Sequence, residues 1–394
     1  MRVIMMQARI TATAFGAIAS LVFLTQCSTK GSFSWPTSNP FASAKDQSFE
    51  ELARERGVAP IRIAFTGNIL GESEPCGCAV GPKGGLDRRL NFLRREVVKG
   101  PYPSLIVDAG NTLFPSLPVD PARQAEFRTK ALALLRSQDT LGVDVQNVGR
   151  IDLALGVDFL KAAPALKTKL VSANWANAAD RKLVFPSHAD VTLKDGRVVT
   201  ITGLSAGDSE HPIPGLITLD PTESLKSALA AIPADRIVVV LSDLGSVADS
   251  ELGRAIKRQL IIVGSRDMGS QSLPDHDGNS VIVQSAFRGQ QWGLIDVAVA
   301  SGSNGWYNAP EGKRFYDHWK NLEETRARDL KRPDGAERKV ELARHDEVAK
   351  DIEPYMPGDL KRKSIYRHAL YDLHDAFAGA NELTKVMAEL RKIR

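Results

Sequence analysis

The chain has 394 residues, and its 51 basic side chains face 47 acidic ones for a formal net charge of +4. That balance, with no long basic or acidic tail, gives no reason to expect nucleic acid as a partner. An apolar content of 43% with three cysteines indicates one large globular domain or two modest ones, and excludes a disulfide-dense scaffold.

The first 26 residues differ from the rest. Arg2 and Arg9 are their only charges, and an apolar run extends from Ile10 to Leu24. A charged start, an apolar core and a cleavage box read as an export signal over 1–26. The run is short for a membrane span, which needs about 20 residues. LTQC, ending at Cys27, resembles the bacterial lipoprotein cleavage site, which implies that Cys27 becomes the acylated first residue. A cleaved signal without lipid and an uncleaved anchor are the alternatives. The expectation is an exported bacterial lipoprotein held to a membrane through acylated Cys27. It faces the periplasm or cell exterior, at the outer membrane where the cell has one.

Residues 27–58 are rich in Ser, Pro, Ala and charge, without useful period, and read as a tether with a short helix at SFEELARER. Trp35 and Phe41 are either docking residues or scattered linker aromatics. The body starts near Pro60, with a strand at Ile61 to Phe65. In LDRRLNFLRREV, Leu86, Leu90 and Leu93 share one helical face. A strand from Ser104 to Val107, a helix over 121–139, a strand from Val143 to Val148 and a helix through Phe159 follow. Further strands are expected near 169–173, 182–185, 191–203 and 236–241, with a helix near 250–259. Ile261 to Val263, Val281 to Gln284 and Leu294 to Ala300 complete the set. Alternating strands and helices indicate an α/β domain, and the clustered strands over 182–203 indicate a mixed sheet.

The body, 59–300, ends near SGSNG. Residues 301–394 read as a helical C-terminal extension. Its last segment carries an apolar stripe of Ile365, Leu370, Leu373, Phe377, Leu383, Val386 and Leu390. Pro354 and Pro357 break the chain between its two segments, 311–350 and 362–394. The extension either packs back on the body or offers a partner surface.

The loops after the strands carry FTGNILG, LIVDAGN, VQNVGRIDLALGVDFL, LVSANW, VVVLSDLG, IIVGSRDMG and VIVQSAFRGQQWGLIDV in that order. Together they resemble the calcineurin-like metallophosphoesterases, especially the exported 5'-nucleotidase branch. GESEPCGC before GPKGGLDRR resembles a bacterial lipoprotein subgroup of such proteins. The resemblance implies a sandwich of mixed β-sheets flanked by helices. It also implies a two-metal site in which Asp, His and Asn side chains converge on ions about 3.5–4 Å apart.

At the positions where the resemblance implies ligands, this chain has lost them. Asn68 and Leu70 stand where the first loop implies Asp and His, and Asn111 stands for the bridging Asp. Arg150 and Ile151 stand for Asn-His, followed by Asp152. Asp243 stands for a histidine, and Arg266 and Met268 for two more. Leu70 and Ile151 cannot bind a hard cation. Arg150 and Arg266 put positive charge where cations would sit, an interaction of roughly 4 kcal/mol per charge pair at 4 Å and a dielectric near 20. All seven histidines lie at His188 or beyond, so the first three boxes contain none. Arg150 and Arg266 are either ordinary surface arginines or fillers of the vacated volume, paired with Asp152, Asp243 or Asp267. A residual anion pocket between them is a further reading.

Cys76 and Cys78 cannot make a four-ligand zinc site alone. A local disulfide, two free thiols and a redox role remain open. No metal or cofactor is expected. The chain is therefore expected to be a non-catalytic, metallophosphatase-like lipoprotein. Its role is that of an accessory or scaffolding subunit of a membrane-associated assembly, contacting protein partners through the tether or the C-terminal helices. A divergent metal-dependent phosphoesterase, using Asp108, Asp152, Asp243 and Asp267, and an anion or nucleotide binder in the old cleft are the alternatives.

Overall fold

A computed structural model describes residues 33–42, 47–77, 81–163, 166–356, 358 and 360–393. The expected signal segment, Cys27, Pro357 and Cys78 lie outside the described residues. The described residues of 36–394 form one compact unit. No helix among the described residues is long and apolar enough to cross a membrane.

The strand Ile61–Thr66 is buried along its whole length, as its apolar run requires. It lies inside a seven-stranded mixed sheet ordered Trp306–Asn308, Ser364–Asp372, Gln291–Ala298, Ile61–Thr66, Ser104–Asp108, Val145–Asn147 and Lys169–Val171. A second sheet of six strands runs Asp275–Asp277, Ser280–Gln284, Leu260–Gly264, Ile237–Asp243, Val198–Ser205 and His188–Thr192. Side chains alternate across a strand, and both faces of these sheets are covered. Ile61, Ile63 and Phe65 meet Val239, Leu241 and Val263 in the core between the sheets. Val238, Val240 and Ile262 point the other way, onto Leu225 and Leu252 of the outer helices. Ala64 and Ile106 face helical Leu90, Leu134 and Leu135 on the opposite outside. The result is a mixed α/β sandwich with flanking helices.

The helix Gln124–Leu141 and the strand Ile237–Asp243 match their expected places. The segment expected as one strand over 191–203 is a hairpin, His188–Thr192 against Val198–Ser205, and 182–185 contributes only a single bridge from Leu183 to Ala176. The helix Pro221–Ala230 is an addition to the expected elements.

The C-terminal segment is helical in part. Gly312–Leu330 and Ala336–Ile352 form a helical hairpin in which Trp319, Leu322, Ala349 and Ile352 are buried. Its buried His345 contacts Asp329 at 2.8 Å. Phe41 is fully buried at the base, stacked on Phe315, which stacks on Tyr355. Phe41 is thus a docking residue rather than a linker aromatic.

Residues 364–372, expected within a helical stripe, instead form a strand that pairs antiparallel with Gln291–Ala298 over eight residue pairs, Gln291↔Asp372 to Ala298↔Ile365. The apolar residues on both faces of this strand explain the misreading. Tyr366 and Leu370 enter the inter-sheet core while Tyr371 packs outside, so no polar–apolar alternation betrays it. The stripe is realised only in the last helix, Glu382–Arg391, which starts at an Asn381–Thr384 capping box and buries Leu383, Met387 and Leu390. Ion pairs Arg88–Asp375 at 2.7 Å and Arg391–Glu74 at 2.6 Å tie this terminus to the region of GPKGGLDRR.

Candidate functional site

The boxes singled out in the sequence do converge. Each follows a strand, and the loops after Thr66, Asp108, Asn147, Ser205, Asp243 and Gly264 meet at one pole of the sandwich. Beyond the strand ends the first two loops continue as a ladder: Asn68 N–H donates to Gly110 O at 2.8 Å and Leu70 N–H to Asn111 O at 2.9 Å. Asn68, Leu70 and Asn111 all have left-handed backbones, with φ of 53°, 55° and 58°. Asparagine tolerates that region, and leucine adopts it rarely.

Asn111 sits at the centre. Its Nδ2 donates to Asp243 Oδ1 at 2.6 Å and to Ser265 O at 3.3 Å, and its Oδ1 accepts from Ile151 N–H at 3.1 Å. Gly149 is required beside it, since a Cβ there would lie 2.5 Å from Asn111 Oδ1. The second oxygen of Asp243 accepts from Arg150 N–H at 2.7 Å and from Ser205 Oγ at 2.9 Å. Asp152 is enclosed by backbone donors from two loops: Asn111 at 2.8 Å, Thr112 at 2.7 Å, Leu113 at 2.9 Å and Gly149 at 3.0 Å. Asn68 Nδ2 donates to Asp267 O at 3.2 Å. Asn68, Asn111, Asp152 and Asp243 are each at most 4% exposed.

The arginines do not make the carboxylate pairs that one of the two readings gave them. The Arg150 side chain pairs with Asp208 at 2.9 Å, and only its backbone N–H reaches Asp243. Arg266 Nη1 donates to the main-chain oxygen of Asp243 at 3.3 Å, not to its carboxylate. Asp267 Oδ2 accepts from Ser246 N–H. Ile151 is buried, Leu70 is half-buried against the outer core, and Met268 projects into solvent at 66% exposure.

Burial sets the protonation of the acids. It pushes Asp108 up to about 6, opposed by donors from Thr112, Gly110 and Gln138. It pushes Asp152 up to about 7 despite the donors around it, with Asp108 adding repulsion. Asp243 is also raised by burial, opposed by Arg150 N–H and Asn111. Asp249, beneath the Ser242 hydroxyl that it accepts from, is pushed up to about 7 by burial.

The donor set does not fit a two-metal centre. Both Asp243 oxygens and both Asp152 oxygens are already taken by N–H or O–H donors. The amide nitrogen of Asn111, itself a donor, faces Asp243. Among the described residues no group of three or more His, Cys, Asp or Glu side chains is arranged to hold a metal ion. What the loops enclose is a closed hydrogen-bond network joining the two sheets.

Residues absent from the sequence reading complete it. Ser205 and Asp208 anchor Asp243 and Arg150, and Asn147 Nδ2 spans Ala109 O at 3.1 Å and Leu204 O at 2.9 Å. Arg89 is fully buried, its Nη2 donating to Glu72 O at 2.8 Å, and burial lowers it to about 10. The available signal was local: Asn147 and Arg89 lie in the quoted boxes VQNVGRID and GGLDRR. Cys76 is half-buried and its Sγ accepts from Gln290 Nε2 at 3.3 Å. Glu74 is held by Arg391.

Solved structures share the architecture. The 5'-nucleotidase precursor of Thermus thermophilus matches with a TM-score of 0.50 and 27% identity over 61% of this chain and 51% of its own. The sulfate thiohydrolase SoxB of Thermus thermophilus matches with a TM-score of 0.50 and 18% identity, over 61% of this chain and 54% of its own. The calcineurin-like phosphoesterase YfkN of Bacillus subtilis matches with a TM-score of 0.56 and 13% identity, over 86% of this chain and 99% of its own. The chain spans about half the length of the first two. No protein-family model matches the sequence, and no curated protein matches it. The fold is that of the calcineurin-like metallophosphoesterases and 5'-nucleotidases, carried here without a metal-binding cluster among the described residues.

Proposed function

We propose that this chain is a non-catalytic, metallophosphatase-like lipoprotein, anchored through acylated Cys27, that serves as an accessory or scaffolding subunit of a membrane-associated assembly. One observation carries the loss of catalysis. The Asn111–Asp243 bond and the backbone cage around Asp152 consume the oxygens that would have to face metal ions. A network of this kind rigidifies the junction of two sheets, which suits a scaffold. The export and anchoring part rests on the charged start, the apolar run Ile10 to Leu24 and LTQC alone. The binding role is supported by the helical hairpin 312–352, which adds to the sandwich a structure the old chemistry does not use.

Three measurements on protein extracted gently with its anchor intact test the reading. Mass spectrometry of the N-terminal peptide is expected to find diacylglycerol on Cys27. Metal analysis is expected to find no stoichiometric divalent ion, and a screen of phosphate mono- and diesters no turnover. Pull-down is expected to recover stoichiometric protein companions. Bound metal, with turnover abolished by Asp243→Asn, would overturn the non-catalytic reading, and a companion-free monomer would overturn the accessory role.

A further inference from the structure

We infer that a recognition site lies at the pole opposite Asp243: a basic groove that takes an extended acidic segment of a partner protein. The inference rests on the accessory reading above, because it names the chemistry of the partner that reading requires. The strand Ile237–Asp243 connects the two poles. Ile237 lines the groove, and Asp243 lies about 20 Å further along the strand at a rise near 3.3 Å per residue. The groove is therefore distinct from the hydrogen-bonded network.

The groove has a volume of about 640 Å³, with half-buried Val58, Ile237 and Val299 among its apolar walls. Its charged lining is one-sided: Arg197, Arg236, Lys257 and Arg258 against Asp235 alone. Two of these cations are fixed parts of the wall. Arg258 donates to Ile232 O at 3.0 Å and Arg236 O at 2.9 Å, so its charge is held in place by carbonyls rather than neutralised by a touching carboxylate. Arg197 donates to Pro60 O at 2.9 Å and pairs with Asp195. The other two, half-buried Arg236 and exposed Lys257, make no ion pair among the described residues.

The shape selects the class of ligand. A second hollow of about 760 Å³, whose charged lining is balanced between Glu55 and Arg56, begins at Val58, Ala300 and Ser301, which line both. Two contiguous hollows suit a length of extended chain better than a compact molecule. Apolar walls with basic groups in the first hollow suit a segment in which aliphatic and carboxylate side chains alternate. Complementary charge of this kind mainly raises the association rate and penalises wrong partners.

The test uses the full chain and a fluorescent octapeptide of alternating glutamate and leucine, with lysine–leucine and serine–glycine peptides as controls. Fluorescence anisotropy is expected to show saturable binding of the acidic peptide only, weakened on going from about 50 to about 300 mM salt. The double variant Arg236→Glu/Lys257→Glu is expected to lose at least about tenfold in affinity, with an unchanged melting temperature. Arg328→Glu, on the helical hairpin, is expected to bind like the parent. The proposal is overturned by undiminished binding to the double variant, by equal binding of the lysine–leucine peptide, by an equal loss in the hairpin variant, or by no saturable binding. Pull-down separates the two levels. If the double variant keeps every companion while the peptide fails to bind, the accessory role stands and the groove does not. If the parent has no companions, the accessory role falls, and the peptide titration alone judges the groove.

Discussion

Asn111 on one sheet donates its Nδ2 to Asp243 Oδ1 on the other at 2.6 Å, so the strand-end loops of the sandwich are closed by a neutral amide against a buried acid. An aspartate at position 111 would place a second carboxylate on the first, with four backbone donors already committed to Asp152 nearby.

Asn111→Ala removes the donor and strands Asp243. We expect a loss of about 2–3 kcal/mol in urea unfolding, the cost of an unsatisfied buried charged acceptor. Asn111→Asp is expected to be at least as destabilising at pH 8, and added Mn²⁺ is not expected to recover stability or phosphoesterase turnover. A gain of either on adding metal would show that the loops can still be organised by cations.

Acid titration offers an independent check. Asp108, Asp152 and Asp249 carry folded-state values of about 6, 7 and 7 against an ordinary 3.8. The folded protein therefore binds more protons than the unfolded chain between these values. Their contribution is fully present below pH 3.8 and is lost as pH rises through 6–7. Each group adds a slope of up to about 1.4 kcal/mol per pH unit between 3.8 and its folded value. Thermal melts are expected to show falling stability from pH 5 to pH 7.5, and Asp249→Asn is expected to flatten the curve. A curve that rises over this range would contradict the raised values.

Chelation is expected to do nothing. Prolonged EDTA treatment should leave the melting temperature unchanged within about 1 °C, since a bound ion stabilises the folded state by mass action and its removal would show. A drop of several degrees that Mg²⁺ or Mn²⁺ reverses would locate a cation that the network geometry does not accommodate.

Phe41→Ala probes the base of the hairpin. The ring is fully buried against Phe315 and 6.5 Å from Trp319. Large-to-small substitution at such a site costs about 3–5 kcal/mol. Faster amide exchange is expected across 312–352, while the strands Ile61–Thr66 and Ile237–Asp243 keep their protection. Uniform loss of protection would mean that the hairpin and sandwich unfold as one unit.

The central strands were legible because they are buried on both faces and read as unbroken apolar runs, as in IRIAF and VVVL. The positions Asn68, Asn111, Arg150, Asp152, Asp243 and Arg266 were legible because boxes in a fixed order mark loop ends. The partners they chose were not. Arg150 pairs with Asp208, a residue 58 positions on, outside every box, and a one-dimensional pattern does not state which loop an arginine turns toward. The strand Ser364–Asp372 escaped for a related reason. The inter-sheet core and the outer cluster cover its two faces, erasing the alternation that separates strand from helix. The helix Pro221–Ala230 carries a start signal in Asp220 followed by Pro221, but its short apolar face, Leu225 and Ala228, gives little period to read.

The position of Ser364–Asp372 sets the timing of folding. This strand lies between Gln291–Ala298 and Trp306–Asn308, so the larger sheet cannot close until the chain has left the ribosome past Asp372. Until then Gln291–Ala298 presents an unpaired edge. A sheet completed by so late a strand makes its closure one of the last events of folding, and leaves the core between the sheets open on one side until then.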